Sequence, residues 1–466
     1  MLKKLITNSA VYGLAPYLPR ILSIALLPIL TKYLTGRDYG IIGTVTAYTA
    51  ALSAFSTLGL IQILYNSYYH SKEQYKWLWR QLYGFLEIWI LLFIFIQIII
   101  LYALFPSEAN DNKWAIILLS SGTSLMSTTA TIGNTYYQLK QKPIPIVIRT
   151  IASGLITILT NYYLVVYLKA GYMGYFIGNF IGIAFINLSY IHTVNNKLKL
   201  KPIYKFKIKT IKRSLKISLP TIPHVYSSYL LNTSNRLVMD KSNIAISTIG
   251  EFNIAQQFSN LFDSFIGAIN QAINPMTLSE IRNDNPDKVK KLIYTFFLIS
   301  LTSTFLFSIW SKEIFNLLIN NEVLKKTYPY AIIMIMAQNC KPMYVACSNI
   351  FFYYENTVSL LKISFIAGVI SLIGYIIFIP QYGVWGAVMV YYFSMIYMGY
   401  SGFFFRFYKN KATVSYPIIK LLTVTCCLTI TSIIVVEYDL YAKLGISACF
   451  MTCIIGWYVY NKIYKL

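Results

Sequence analysis

One stretch of the chain is dense in groups that can bind a polar ligand. Asn253, Gln256, Gln257, Asn260, Asp263, Ser264, Asn270, Gln271 and Asn274 recur at three- and four-residue spacing. At helical periodicity they fall within an arc of about 140°, so a helix here is polar along one whole side. Carboxamides and hydroxyls supply paired donors and acceptors, which suits a hydroxyl-rich ligand. Three bases, Arg20, His224 and Lys341, also stand near the middle of apolar spans, and a fourth, Arg236, near the outer end of the seventh. They outnumber the central acid, Asp263, and excess positive charge in a cavity of low dielectric concentrates an anion. Arg20 suits a phosphate, because its planar fork donates two hydrogen bonds at once. The substrate-binding candidates are Arg20, His224, Arg236, Lys341, Gln256, Asn260 and Asn270; Asp263 and Glu87 are candidates for ion coupling or gating.

Each of these has a plainer alternative. Arg20 or Lys341 pairs with Asp263, and the amide stripe makes interhelical hydrogen bonds. His224 is a neutral hydrogen-bonding residue. Arg236 pairs with Asp240 four residues on, or snorkels to the interface, as does Glu87.

The elements that must position these groups are membrane helices. The chain has 466 residues, 56% hydrophobic, 16% aromatic and only 12% charged, half the charged share of a soluble domain. Apolar runs of membrane-crossing length recur throughout and predict an all-α polytopic membrane protein of about 14 transmembrane helices. The polar stripe is the eighth span and cannot face lipid, so it looks into the bundle or a water-filled cavity. Lys3 and Lys4 precede an apolar stretch that reads as the first retained span, with Arg20 at its middle.

Charge sets the orientation. Of 40 Lys and Arg, 28 lie on one side of the predicted spans and 9 on the other, which places both termini in the cytoplasm. The formal charge of +24 is thus an orientation signal rather than a nucleic-acid footprint. The densest segment, residues 195–216, holds nine basic residues and no acid; it reads as a solvated linker against anionic headgroups. It separates an N-terminal lobe of six spans (1–194) from a C-terminal lobe of six (217–410), with two further spans in 411–466.

A short repeat supports this division. Pro16-Tyr17-Leu18-Pro19-Arg20 opens the first half and Pro220-Thr221-Ile222-Pro223-His224 the second. Interrupted helices at matching positions of two halves point to a central binding site. Pro16, Pro19, Pro220, Pro223 and also Pro342, beside Lys341, are therefore gating candidates. The six cysteines lie in apolar segments without His at metal spacing, so neither a disulfide framework nor a metal site is expected. No nucleophile–base constellation or paired carboxylates appear, and the outer loops are short, so an enzyme is not expected.

The motifs Asn8-Ser9, Pro16 through Arg20, Leu34-Thr35-Gly36-Arg37-Asp38-Tyr39-Gly40-Ile41, Ser218-Leu219-Pro220 and Asn235-Arg236-Leu237-Val238-Met239-Asp240 resemble the polysaccharide flippases. These are O-antigen or capsule repeat-unit translocases of Wzx type, within the superfamily that also holds MATE drug antiporters. The resemblance implies a flippase of the bacterial inner membrane that moves an undecaprenyl diphosphate-linked oligosaccharide by rocking two lobes about a basic cavity. It implies a polysaccharide polymerase and a chain-length regulator as partners and no cofactor, with coupling to Na+ or H+ left open. The alternatives are a MATE-like drug or cation antiporter, a peptidoglycan-precursor (lipid II) flippase and, from another class, a membrane-embedded polymerase.

Overall fold

The computed structural model describes residues 24, 26–70 and 74–464, with the side chains of 69, 70, 224, 225, 455 and 457–464 outside that description. Arg20, Pro16 and Pro19 lie outside the described residues, and so does the side chain of His224.

Among the described residues every regular element is a helix. The first half contains α1 (Leu27–Tyr33), α2 (Gly36–Ser56), α3 (Ile61–His70), α4 (Tyr75–Ala103), α5 (Lys113–Leu125), α6 (Thr128–Leu139), α7 (Ile144–Tyr162) and α8 (Tyr172–His192). After the linker come α9 (Ile208–Ser218), α10 (Ile222–Asn232), α11 (Ser234–Lys241), α12 (Ile246–Arg282) and α13 (Pro286–Ile309). The chain continues through α14 (Ser311–Leu318), α15 (Glu322–Lys325), α16 (Tyr328–Met336), α17 (Lys341–Tyr353) and α18 (Thr357–Tyr400). It ends with α19 (Arg406–Lys411), α20 (Ile418–Val435) and α21 (Leu440–Tyr464).

Seven of the described helices are long and apolar enough to cross a membrane, or eight when α2 and α3, bent by 41°, are one span. The protein is a multi-pass membrane protein. Several expected spans are assembled from pieces: the seventh from α9 to α11, the tenth from α16 and α17. α12 is long enough at 37 residues, but its polar stripe lowers its hydropathy. α18 is two spans in one. Gly383 takes φ 58° and ψ −133° inside it, a conformation that costs little without a Cβ. A Cβ on Gly374 would touch Val390 and one on Gly386 would touch the Phe378 carbonyl. A straight helix would hold those pairs about 12–24 Å apart, so the chain reverses at Gly383. The turn before α8 has nearly the same geometry, with Gly171 at φ 52° and ψ −139°. Both glycines open a Gly-x-x-Gly, at Gly171–Gly174 and Gly383–Gly386. This matched pair of turns relates the two halves.

The halves meet most extensively along α2 and α12. Glycine makes the approach possible: a Cβ on Gly40 would strike the Ile246 carbonyl, and one on Gly250 would strike the carbonyl of Gly36. Thr35 caps α2, its hydroxyl accepting from the Asp38 amide at 3.3 Å, while Asp38 accepts from the Thr35 amide at 2.7 Å. The other Asp38 oxygen accepts from the Tyr172 amide at 3.2 Å, so one carboxylate ties the starts of α2 and α8 together. These ends lie on the lysine-poor side. The last two helices are fastened on that side too, by Lys443 to Glu313 and Lys312 to Glu437, each at 2.6 Å.

On the lysine-rich side the linker is not a free solvated strand. The Ile203 amide donates to the Arg80 carbonyl (2.9 Å), Arg80 Nε to the Lys201 carbonyl (2.8 Å) and the Lys207 amide to Gln81 (3.0 Å). Gly84 leaves room for the Ile203 carbonyl against α4. The backbone of residues 201–207 is thus docked on α4, while Lys201, Lys205 and Lys207 stay exposed.

Candidate functional site

Lys341 owes its position to a break in the tenth span. Residues Ala337–Cys340 form a tight 3-10 turn and α17 begins at Lys341, with Pro342 in its first turn. Pro342 therefore starts a helix instead of disrupting one, at a place where no backbone N–H is needed. Pro220 and Pro223 behave alike, in the 3-10 turn Leu219–Thr221 and in the first turn of α10. The amides before Lys341 anchor the break. Gln338 donates to Ser259 (3.0 Å) and to the Tyr391 hydroxyl (2.9 Å), and Asn339 accepts from Ser300 (2.9 Å) and exchanges hydrogen bonds with Thr304.

From this start Lys341 reaches α12 and forms an ion pair with Asp263. The pairing set out as an alternative in the sequence is the arrangement found. The pair keeps access to solvent, with the Lys341 side chain 24% and that of Asp263 40% exposed. Lys341 lines a cavity of about 270 Å³ together with Asn270, Asn274, Tyr344, Ser348 and Asn349. Three polar atoms there are buried without a protein hydrogen-bond partner: Oδ1 of Asn270, Oδ1 of Asn274 and Nδ2 of Asn349. Such groups are costly unless something pairs with them. The cavity combines one cation with unfilled amide acceptors and an amide donor, which fits an anionic, hydroxyl-bearing ligand. Tyr344, Ser348 and Asn349 do not figure among the sequence candidates, although they follow Lys341 at intervals of three, seven and eight residues, one face of α17.

The other half of the polar stripe has a different surrounding, and two candidates need correction. Arg236 neither pairs with Asp240 nor snorkels. It is buried, with Nη1 donating to Asn253 Oδ1 (3.1 Å) and to the Gly43 carbonyl (3.4 Å). Asn253 in turn donates to the Tyr39 carbonyl at 3.1 Å. Asp240 accepts instead from the Tyr48 hydroxyl of α2. Gln256 is also buried, donating to the Asn232 carbonyl at 2.5 Å. Arg236 and Gln256 are therefore joints between helices α2, α10, α11 and α12, away from the Lys341 cavity. Asn260 is half-buried. The Glu87 carboxylate accepts from the Tyr204 hydroxyl of the linker at 2.5 Å, so it helps dock that segment rather than reaching the interface alone.

The broken helices and the helical bundle have the fold that solved lipid flippases and multidrug transporters share. The fold of an inward-closed lipid II flippase, MurJ, matches with a TM-score of 0.75 over 96% of this chain and 99% of that one, at 16% identity. An inward-facing multidrug resistance MATE transporter of the MOP superfamily matches at 0.61, with 13% identity over 91% and 96% of the two chains. A eukaryotic MATE transporter matches at 0.56, with 12% identity over 94% and 98%. No curated protein sequence matches. Residues 5–282 match the family model described as polysaccharide biosynthesis protein, and the chain belongs to that family.

Proposed function

We propose that the protein flips an undecaprenyl diphosphate-linked oligosaccharide repeat across the bacterial inner membrane, for O-antigen or capsule synthesis. The observation that carries this reading is the solvent-accessible Lys341–Asp263 pair beside a cavity with unpaired amides. A diphosphate displaces Asp263 as the counter-ion of Lys341, and sugar hydroxyls pair with Asn270, Asn274 and Asn349. Residues 1–194 and 217–410 act as the two rocking lobes, with both termini cytoplasmic, and Arg20 is a second ligand for the diphosphate. Asp263, once displaced, is the group free to take a proton or Na+. A polymerase and a chain-length regulator receive the product.

The match to the lipid II flippase fold supports a second reading, in which the sugar is a peptidoglycan precursor; the diphosphate contact is the same. The test is reconstitution in vesicles with fluorescent undecaprenyl diphosphate-linked oligosaccharide or with lipid II. Wild-type protein flips the first faster. Lys341→Gln lowers the rate at least about tenfold, since loss of a charge-paired contact costs several kcal/mol. Asp263→Asn binds the lipid more tightly and releases it more slowly. Wild-type rates from a well-inserted Lys341→Gln protein would sink the assignment.

A further inference from the structure

A second cavity, of about 400 Å³, lies between α1, α7 and α8 of the first half, with Gln257 of α12 closing one wall. Its chemistry differs from that of the Lys341 cavity, since no Lys, Arg, Asp or Glu lines it among the described residues. α7 contributes a stripe of neutral polar groups, Thr150, Ser153, Thr157 and Asn161, at intervals of three and four residues. α8 presses against this stripe through glycines: a Cβ on Gly178 would strike Asn161 and one on Gly182 would strike Thr157. Ser153 is already engaged, donating to the Gly182 carbonyl at 2.8 Å.

Two lining groups are buried with their hydrogen-bonding capacity unfilled. Asn161 is 6% exposed and Tyr39 is 4% exposed, and neither Asn161 Oδ1 nor the Tyr39 hydroxyl has a protein partner. An acceptor and a hydroxyl set among leucines and tyrosine rings form a surface for a neutral, hydroxyl-rich, partly apolar ring. α12 connects this site to the first. Gln257 lines this cavity, and Ile266 and Asn270 line the other, about 14–20 Å further along the same helix.

We infer that this neutral cavity is a sugar subsite: it holds carbohydrate of the lipid-linked substrate through Tyr39 and Asn161 while Lys341 holds the diphosphate. The inference rests on the flippase reading. It places part of the sugar recognition in the first half, in addition to the hydroxyl contacts at Asn270, Asn274 and Asn349 beside Lys341.

The test measures binding of two probes to full-length protein in nanodiscs, by native mass spectrometry: bare undecaprenyl diphosphate and undecaprenyl diphosphate carrying a disaccharide. Wild type binds the glycosylated lipid at least about fivefold more tightly, the equivalent of one or two hydrogen bonds. Tyr39→Phe removes only the unpartnered hydroxyl and lowers the ratio at least about twofold, with bare-lipid affinity unchanged; Asn161→Leu does the same. Lys341→Gln weakens both lipids by the same factor and leaves the ratio intact. Equal binding of the two lipids by wild type, or a full ratio retained in Tyr39→Phe, overturns the subsite. A Lys341→Gln protein that binds both lipids normally removes the diphosphate site instead, and leaves the sugar ratio to be judged separately.

Discussion

The two ends of α12 carry the same residue chemistry and have opposite fates. Near the lysine-poor side, the Asn253 amide is bonded at both its oxygen and its nitrogen, to α11 and α2, and Gln256 donates to α10 with only its Oε1 unmatched. Toward the lysine-rich side, Asn270 and Asn274 line a cavity with buried oxygens that no protein group satisfies. A polar residue in a membrane helix can be a fastening or a contact for cargo, and only its partners tell which. The fastening end coincides with the close crossing of α2 on α12, where Arg236 bonds to both helices. In the flipping cycle proposed above, opening this side would break those bonds, so their strength would set a barrier that cargo binding at the other end must help overcome.

Substitutions separate the two ends, and the largest effect belongs to the fastening. Asn253→Leu leaves the Arg236 guanidinium buried without its side-chain acceptor, a loss of about 3 kcal/mol. Thermal unfolding of the purified protein should register it as a marked fall in midpoint. Adding Arg236→Met to Asn253→Leu should recover much of the loss, because an apolar side chain of similar length needs no acceptor. A double variant no more stable than the single one would mean that Arg236 is satisfied elsewhere. The cavity end behaves in the opposite way. Asn270→Leu removes an unsatisfied oxygen, so the unfolding midpoint should stay level or rise, while flipping in vesicles falls about fivefold. A fall in both measurements would place Asn270 with the fastenings.

The helical layout was largely legible. The three-and-four spacing of the stripe correctly demanded a protein-facing helix, and the second span expected from the apolar pattern, residues 39–64, covers most of α2 and the start of α3. The partners were not legible, because periodicity says that a face is turned inward but not what meets it. Arg236 illustrates this: its i+4 acid, Asp240, was the local choice, yet Tyr48, far away in sequence, takes that carboxylate. Pro342 was read as an interruption, but the break precedes it, where Gln338 and Asn339 tie the 3-10 turn to α12, α13 and α18. The linker was read from its charge, although its backbone does the docking. Gly84 inside the apolar α4 was the available sign of close approach. The Gly-x-x-Gly turns at Gly171 and Gly383 trace the repeat in backbone geometry as well as in spacing.

The smallest effect concerns the attachment of the last two helices on the lysine-poor side, outside the spans. A hydrogen bond from Lys312 and a second from Tyr328 hold the Glu437 carboxyl below its usual range. A carboxyl whose folded-state pKa is depressed stabilises the fold fully above its unfolded value, about 4.3, and loses that contribution as pH falls through the folded value. Stability of wild type should therefore decline below about pH 4.3 more than that of Glu437→Gln, with no difference in slope between about pH 6 and 8. The pair is exposed, so screening keeps the effect small and added salt should shrink it. Lys443, fully buried against Glu313 on the neighbouring turn, provides the contrast. Glu313→Gln should cost more stability than Glu437→Gln at neutral pH, because Glu313 balances a buried ammonium whereas Glu437 balances one in contact with water. Equal losses would mean that burial of Lys443 adds nothing to its hold on the last helix.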